Sequence, residues 1–598
     1  MAAAKASRAH PQPLRIRGAG TPEWTAPAAA AGLVTLLMAL VYVPAVFAGL
    51  GFVSDDFMIL ERLRQAGGLR GGWSFFTLSY YDYYRPLGFL SFASDWTMWR
   101  DSAPAYHAVS VLLHLVNTVM VLLLARRLVG PRAALIAAAG FGLHVANQEA
   151  VFWVSSRFDL LATAGALALL LVLGTSGRWR LTGAALLYLA ALLSKESAVA
   201  VPIAAGAYAC LIQRDRTTGL VRVFAWLGAA GVIYVLLRHA SGLPSVGGGP
   251  RLPKLAVLIA LALAQLAAVH PSTGALRGWL RTRRDWVFAL LVLAVAGAGA
   301  GAWFSAPGSA LRGALASSGF AVLHLTSPIS VERWLFPLPW WLGLVGWAAA
   351  IAAVAVGRRL VANPVPVFLA FFLVAALLPV SSMTEGTRYL YLASVPAAIF
   401  AAWCAGQVES RAAVAVRIGV VLVLLSFAWQ VREKGRDWRW ASEMTSRSVA
   451  TIVQVTGPGC TDAHIILATA PVRIRGVYAN LNYEALEALG HCSPASVRTL
   501  VRLGYDDPSV TATLRQDRLT LRTVPYTGGF VTSTDLRRYS VLIAPGATIR
   551  LDNDLGVFEA GPDGSGLLIR QSLSSGVRTG SYWFVFSRGR LSSLPWTP

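Results

Sequence analysis

A chain of 598 residues that is 56% hydrophobic and only 14% charged has too few charges for an ordinary soluble globular protein. Its formal charge of +23 would suit a nucleic-acid binder, yet its Lys and Arg sit in short loops rather than in a basic domain interleaved with aromatics, which argues against nucleic acid as a partner. Membrane lipid is the expected surroundings: apolar windows of roughly 20 residues, long enough to cross hydrocarbon as helix, recur about thirteen times between about residue 28 and residue 430.

In chain order, residues 1–27 form a basic, Pro/Ala-rich tail, expected to be disordered, with Lys5, Arg8, Arg15 and Arg17 ahead of the first apolar run. No clear small-residue cleavage site follows that run, so it reads as a retained first span. The loops "ARRLVGPR" (125–132), "GRWR" (177–180), "QRDRTTGLVR" (213–222), "RGWLRTRRD" (277–285) and "GRR" (357–359) are basic. The positive-inside rule places them, with the N-terminus, in the cytoplasm. The stretch 305–335 reads as an interfacial or re-entrant helix, because a span there would put Arg358 and Arg359 on the opposite face. The membrane block is therefore 28–430 in a multi-pass cell-membrane protein. Its first outer loop, 51–104, is extracytoplasmic, as is everything after the last span.

That loop opens with "GFVSDDFMIL" (51–60), where Asp55 and Asp56 stand side by side at the end of the first span. Neighbours on a helix point about 100° apart, which suggests one acid as a base and the other as an organiser. A carboxylate against apolar surface gains proton affinity, which suits it to take a proton from a hydroxyl. The competing reading is that Ser54 or Asp55 merely caps the next helix. Farther along, "YYDYYRPLGFLSF" (80–92) is an aromatic patch around Arg85. Its rings suit a membrane-interface belt, whereas the Arg85 fork could clamp a phosphate.

The next apolar segment carries His107, His114 and Asn117 along nearly one helix face. The two histidines are too far apart to share a metal as a helical pair would, so packing or a polar contact is expected, with His107 a candidate for substrate contact. Three further turns carry both signs of charge: His144, Glu149, Arg157 and Asp159 in "GLHVANQEAVFWVSSRFDLLA", Lys195 and Glu196 in "LLSKESAVAVP", and Glu385 and Arg388 in "LLPVSSMTEGTRYLYLASVP". Ionisable residues at a membrane are functional candidates unless paired. Salt bridges between helix ends would explain any one turn, and a polar cavity for an anionic, membrane-borne substrate would explain all three. From about residue 431 the chain turns to short β-branched runs such as "AHIILATAPV" and "SYWFVFSRG", a β-rich domain over 431–598. Cys460 and Cys492 lie there and are placed to form a disulfide or remain thiols, while Cys210 and Cys404 read as small core residues. "SVGGGPRLP" (245–253) lacks the flanking strand and helix of a phosphate-binding loop.

The order DD, RPL–x–x–LSF, a His- and Asn-bearing span, H–x–x–x–x–E–A–V–x–W–V–x–x–R–x–D–L–L–A, K–E–x–A and E–x–x–R–Y–L–Y–L–x–S–V–P resembles the transmembrane and tetratricopeptide-repeat O-mannosyltransferases. More broadly it resembles the GT-C superfamily, which includes the protein O-mannosyltransferases, over roughly residues 30–445. The resemblance implies a mainly α, polytopic membrane bundle and transfer of a sugar, mannose in the namesakes, from a polyprenyl-phosphate donor to a hydroxyl with inversion. Carried onto this chain, Asp55 or Asp56 is the catalytic acid, and Arg85 and Arg388 fall where phosphate contacts belong. The acceptor would be a protein or a cell-envelope glycan or lipid. No cofactor is certain, and the paired acids are compatible with a divalent cation without demanding one. The tetratricopeptide repeats themselves are replaced by the β-rich region. A transporter or flippase of a lipid-linked saccharide is the alternative, although it would be expected to show charges near mid-membrane and repeat symmetry.

Overall fold

The computed structural model describes residues 25–77, 83–214, 217–242, 363–380, 386–408 and 412–460, isolated positions between 321 and 327, and most of 463–595. Glu385, most of the 305–335 segment, the 245–253 loop and residues 1–24 of the tail lie outside the described residues. The chain is mainly helical with a β-rich C-terminal region. Among the described residues, six helices are long and apolar enough to cross a membrane: Ala28–Phe47, Ala103–Val129, Val154–Leu173, Thr218–Ala240, Thr387–Gly406 and Ala412–Thr456. Shorter apolar helices at Pro131–Leu143, Arg180–Ser194, Glu196–Ile212 and Pro364–Leu377 pack among them.

Local sequence explains the corners. The Ala103–Val129 helix starts with a proline in its first turn, where no intrahelical N–H is lost, and stops at Gly130 with φ of 86°. Nothing lies within 4 Å of where a Gly130 Cβ would be, so it is the backbone conformation and not space that favours glycine. Pro131 then opens the next helix.

Arg157 clamps three helices from the inside. Its guanidinium donates to Asp95 Oδ2 (2.5 Å) and Ser91 Oγ (3.3 Å) on the Pro86–Trp99 helix, and to Tyr106 O (2.8 Å) and Ser110 Oγ (3.5 Å) on Ala103–Val129. The side chain is wholly buried, so its charge persists there only because every face of the fork meets an acceptor.

The Ala412–Thr456 helix is 45 residues long and changes character along its length. Val414, Ile418, Val421, Leu422 and Leu425 are exposed, as befits a lipid-facing surface, whereas from Gln430 onward one face is buried against the body of the protein. The helix thus continues through residue 431, where the sequence becomes more polar, and the first strand begins at His464.

Beyond it, a six-stranded sheet is ordered 590–593, 581–587, 464–471, 497–503, 529–532 and 540–543, with the 464–471 strand parallel to both neighbours. A five-stranded antiparallel sheet (509–515, 518–524, 566–572, 556–563, 549–553) lies against it. The period of two in a strand sorts the faces. Ile465, Leu467, Phe584 and Phe586 join the helical core, and Ile466, Ala468, Trp583 and Val585 join the core shared with the second sheet. A disulfide between Cys460 and Cys492, with Cα atoms 4.9 Å apart, ties the end of the long helix to the segment after the Tyr483–Gly490 helix.

Replacing Arg157 with Met leaves Asp95 buried without its cation. The expected cost is about 3–5 kcal/mol, read as a lowered thermal midpoint of the detergent-solubilised protein, and an unchanged midpoint would show that Arg157 does not brace the helices.

Candidate functional site

The two acids occupy unlike environments although they are adjacent. The segment after the first helix is pinned by Gly51 N–H to Ser442 Oγ (3.1 Å) and by Arg439 Nη1 to Ala48 O (3.3 Å). It then enters a turn in which Asp56 N–H donates to Val53 O (3.1 Å). Ser54, inside that turn, holds φ 50° and ψ −121°, a strained conformation for a residue with a side chain. Asp56, 1% exposed, accepts Val53 N–H at Oδ2 (3.0 Å) and Ser155 N–H at Oδ1 (2.7 Å). Both oxygens are therefore occupied by backbone. Asp55 is only partly buried and accepts from Ser54 Oγ at 3.3 Å. The Ser54 hydroxyl accepts no backbone N–H of the helix's first turn, so the turn is organised by Asp56 rather than by a serine cap.

Burial raises the proton affinity of both carboxyls. Asp56 is pushed up to about 8, against the pull of its two backbone donors. Asp55 is raised as well, with Arg388, Ser54, Arg502 and Arg85 pulling the other way. Those arginines come from distant parts of the chain and converge on Asp55.

Their partners define the rest of the site. Glu149, on a short helix between two spans, is ion-paired with Arg388 and also accepts Thr387 N–H (2.5 Å), Thr387 Oγ1 (3.0 Å) and Arg388 N–H (3.3 Å). Gly386, at φ 105°, makes this approach feasible, since a Cβ there would lie 3.1 Å from Glu149 Oε1 and 2.7 Å from Arg388 Nη1. Lys195, where the Arg180–Ser194 helix ends, donates to both oxygens of Asp159 at 2.6 Å. Arg85 meets Glu196 through Nε and Nη2, both at 2.9 Å, and Tyr84 N–H reaches the same carboxylate at 3.3 Å. Each pair thus joins two different turns.

Aromatic faces line the cations. The Arg388 guanidinium lies 4.4 Å from the Trp153 ring centre, 4.5 Å from Tyr389 and 5.1 Å from Tyr478, and Lys195 Nζ lies 4.9 Å from Tyr389. Arg85 lies 4.3 Å from Tyr83 and 5.0 Å from Phe158. Burial, with Arg85 and Arg388 nearby, lowers Lys195 to about 8 despite Asp159. Glu149 goes the other way: burial would raise it, but Arg388 and Arg473 hold it below the usual carboxylate range.

Other expected site residues sit apart from these pairs. Arg157 is consumed by its protein partners, although its charge reaches Asp56. His107 faces Gly51 O at 3.3 Å, bracing the backbone that leads to the acids. His144 uses Nδ1 to accept Ala146 N–H (3.2 Å) and packs on Phe427. His114 and Asn117 share Tyr391 Oη, at 2.7 and 3.2 Å, a packing role. Among the described residues no group of three or more His, Cys, Asp or Glu is placed to hold a metal. Sequence reasoning missed Tyr389, Arg473, Tyr478 and Arg502. The alternation of cation and aromatic around Gly476 in "VRIRGVY" was the available signal for two of them.

Among curated proteins, the chain is similar to protein O-mannosyl-transferase Tmtc1 of Drosophila melanogaster, with 35% identity over 131 residues, 21% of this chain and 15% of the fly protein. The resemblance carried by the ordered motifs is thus met in a member of the group it pointed to, though the match spans only that 15% of the fly protein's length. Among solved structures, it is similar to the Archaeoglobus fulgidus oligosaccharyltransferase in the apo form, at 11% identity and TM-score 0.44, covering 78% of this chain and 64% of that one. It is also similar to ArnT from Cupriavidus metallidurans in the apo state, at 16% identity and TM-score 0.34, covering 79% and 86%. No family model matches the chain.

An amide at position 56 offers one acceptor oxygen where two backbone N–H groups converge, so its NH2 would face a donor. Asp56→Asn is expected to cost about 1–3 kcal/mol, measured as a fall in thermal midpoint. Asp55→Asn, where the carboxylate accepts no backbone N–H among the described residues, is expected to leave the midpoint near wild type.

Proposed function

We propose that this chain is an integral-membrane glycosyltransferase that moves a hexose, mannose first among the candidates, from a polyprenyl-phosphate donor to a hydroxyl of a protein or cell-envelope acceptor. The observation that carries the reading is the half-open Asp55, beside a locked Asp56 and facing arginines that carboxylates from other turns hold in place.

In this reading Asp55 is the general base and Asp56 sets the turn that aims it. The acceptor O–H gives its proton to the Asp55 carboxylate as its oxygen forms a bond to the anomeric carbon. The bond from that carbon to the phosphate oxygen breaks on the opposite face, so configuration inverts, and the electron pair leaves with the polyprenyl phosphate. Arg388, Lys195 and Arg85 supply positive charge for the departing phosphate, which is the largest electrostatic demand of such a step. Glu149, Asp159 and Glu196 orient those cations, so that little rearrangement is needed when the phosphate arrives. The reaction needs no metal in this scheme.

The test is transfer of labelled mannose from a polyprenyl phosphate by the purified protein, offered a mixture of peptide and glycan acceptors. Wild type is expected to turn over, and Asp55→Asn to lose about 10²–10⁴-fold while remaining folded. Full activity in that variant would remove Asp55 from the role of base. Because the base acts deprotonated and its proton affinity is raised, activity should fall on acidification with a midpoint above the ordinary aspartate value of about 3.9, read from a pH–rate profile.

A further inference from the structure

The first helix and the long helix enclose a groove of about 400 Å³, lined by Val41 and Ala45 on one side and by Trp429, Arg432, Arg436 and Arg439 on the other. Small residues make it. A Cβ at Gly435 would come within 3.0 Å of the Ala45 Cβ, so the glycine lets the two helices approach closely at its floor. The arginines share the groove with one glutamate, Glu433, which is paired with Arg436, while Arg439 Nε lies 4.0 Å from Glu443 and its Nη1 donates to Ala48 O. Arg432 is exposed and makes no ion pair among the described residues.

The groove is the upper end of a longer stripe. Ile418, Leu422, Leu425 and Trp429 follow at helical spacing on the exposed face of the long helix, and Arg432 and Arg436 continue the same line. Leu37, exposed on the first helix, lies one turn before Val41. Trp429, 64% exposed between the aliphatic part and the arginines, is where an aromatic belt residue belongs at the edge of hydrocarbon. Read upward, the surface is therefore aliphatic, then aromatic, then cationic, the complement of an amphiphile with acyl chains and an anionic head.

We propose that this groove binds an anionic phospholipid of the leaflet on the side of the β-rich region, its phosphate on Arg432, Arg436 and Arg439 and its chains along Ile418, Leu422, Leu425 and Leu37. Arginine forks suit phosphate oxygens through paired N–H donors. A sugar donor is a poorer occupant, since no residue of the groove belongs to the ion-paired cluster around Asp55 and Glu433 is engaged by its own arginine. The site is independent of the glycosyltransferase reading and needs no turnover to test.

Native mass spectrometry of the purified full chain, offered phosphatidylglycerol or phosphatidylcholine at equal concentration, measures the preference. Wild type should retain more phosphatidylglycerol, and Arg432→Gln with Arg436→Gln should reduce its affinity by about fivefold per arginine removed. Both residues are exposed, and an unchanged thermal midpoint confirms that the variant is folded. Equal retention of the two lipids by wild type would overturn the proposal, as would undiminished phosphatidylglycerol binding by the folded variant. Displacement of phosphatidylglycerol by an equal concentration of polyprenyl phosphate would overturn the choice of phospholipid.

Discussion

A charge placed among apolar helices must be paired or it destabilises the fold, and the site around Asp55 is organised by that requirement. Glu149 shows how far it reaches. One carboxylate binds the Arg388 side chain, the Arg388 and Thr387 backbone and the Thr387 hydroxyl, so it fixes the start of a distant span as well as a cation. Asp159 with Lys195 and Glu196 with Arg85 repeat the arrangement between other turns. The pairs that stabilise the helix ends also set the direction of their cations. Structural pairing is thus observed at each of these turns, and in the proposed reading the same cations also meet the lipid phosphate.

The C-terminal region is part of this constraint. Tyr478, in the two-stranded hairpin 473–474/477–478, stacks on Trp153 with ring centres 4.7 Å apart, and the Arg473 guanidinium lies 3.9 Å from the Tyr478 ring. Trp153 in turn packs toward Trp438 on the long helix, whose indole N–H donates to Gln148 beside Glu149. The β-rich region thereby buttresses the turn that presents Glu149 and Arg388. Its six-stranded sheet gives one face to the helical core, so the two parts share packing rather than only a covalent link.

Much of the candidate site is legible in the sequence because charges stand out in apolar surroundings. Asp55, Asp56, Arg85, Lys195 and Arg388 stand out for that reason. Their partnerships were not visible. Lys195 and Glu196 are adjacent and opposite in charge, yet consecutive residues diverge, and each finds its partner on another turn. Arg157 carries the same signal as Arg388, but four internal acceptors make it a brace, a distinction only tertiary structure supplies. The polarity of 431–456 suggests the start of the β-rich region, whereas its buried residues recur at helical spacing and continue the preceding helix. Arg473 and Tyr478 carry a local signal in the cations and aromatic ring of "VRIRGVY", but nothing in that stretch points to their contacts with Trp153 and Arg388.

In the proposed reading the cations paired with Glu149, Asp159 and Glu196 receive a lipid phosphate in front of Asp55. A cryo-electron microscopy structure of the protein with bound polyprenyl phosphate tests it most directly. Phosphate density is expected within hydrogen-bond reach of Arg388, with the open side of the Asp55 carboxylate turned toward it. Phosphate bound elsewhere, with Arg388, Lys195 and Arg85 still engaged only by their carboxylates, would contradict it.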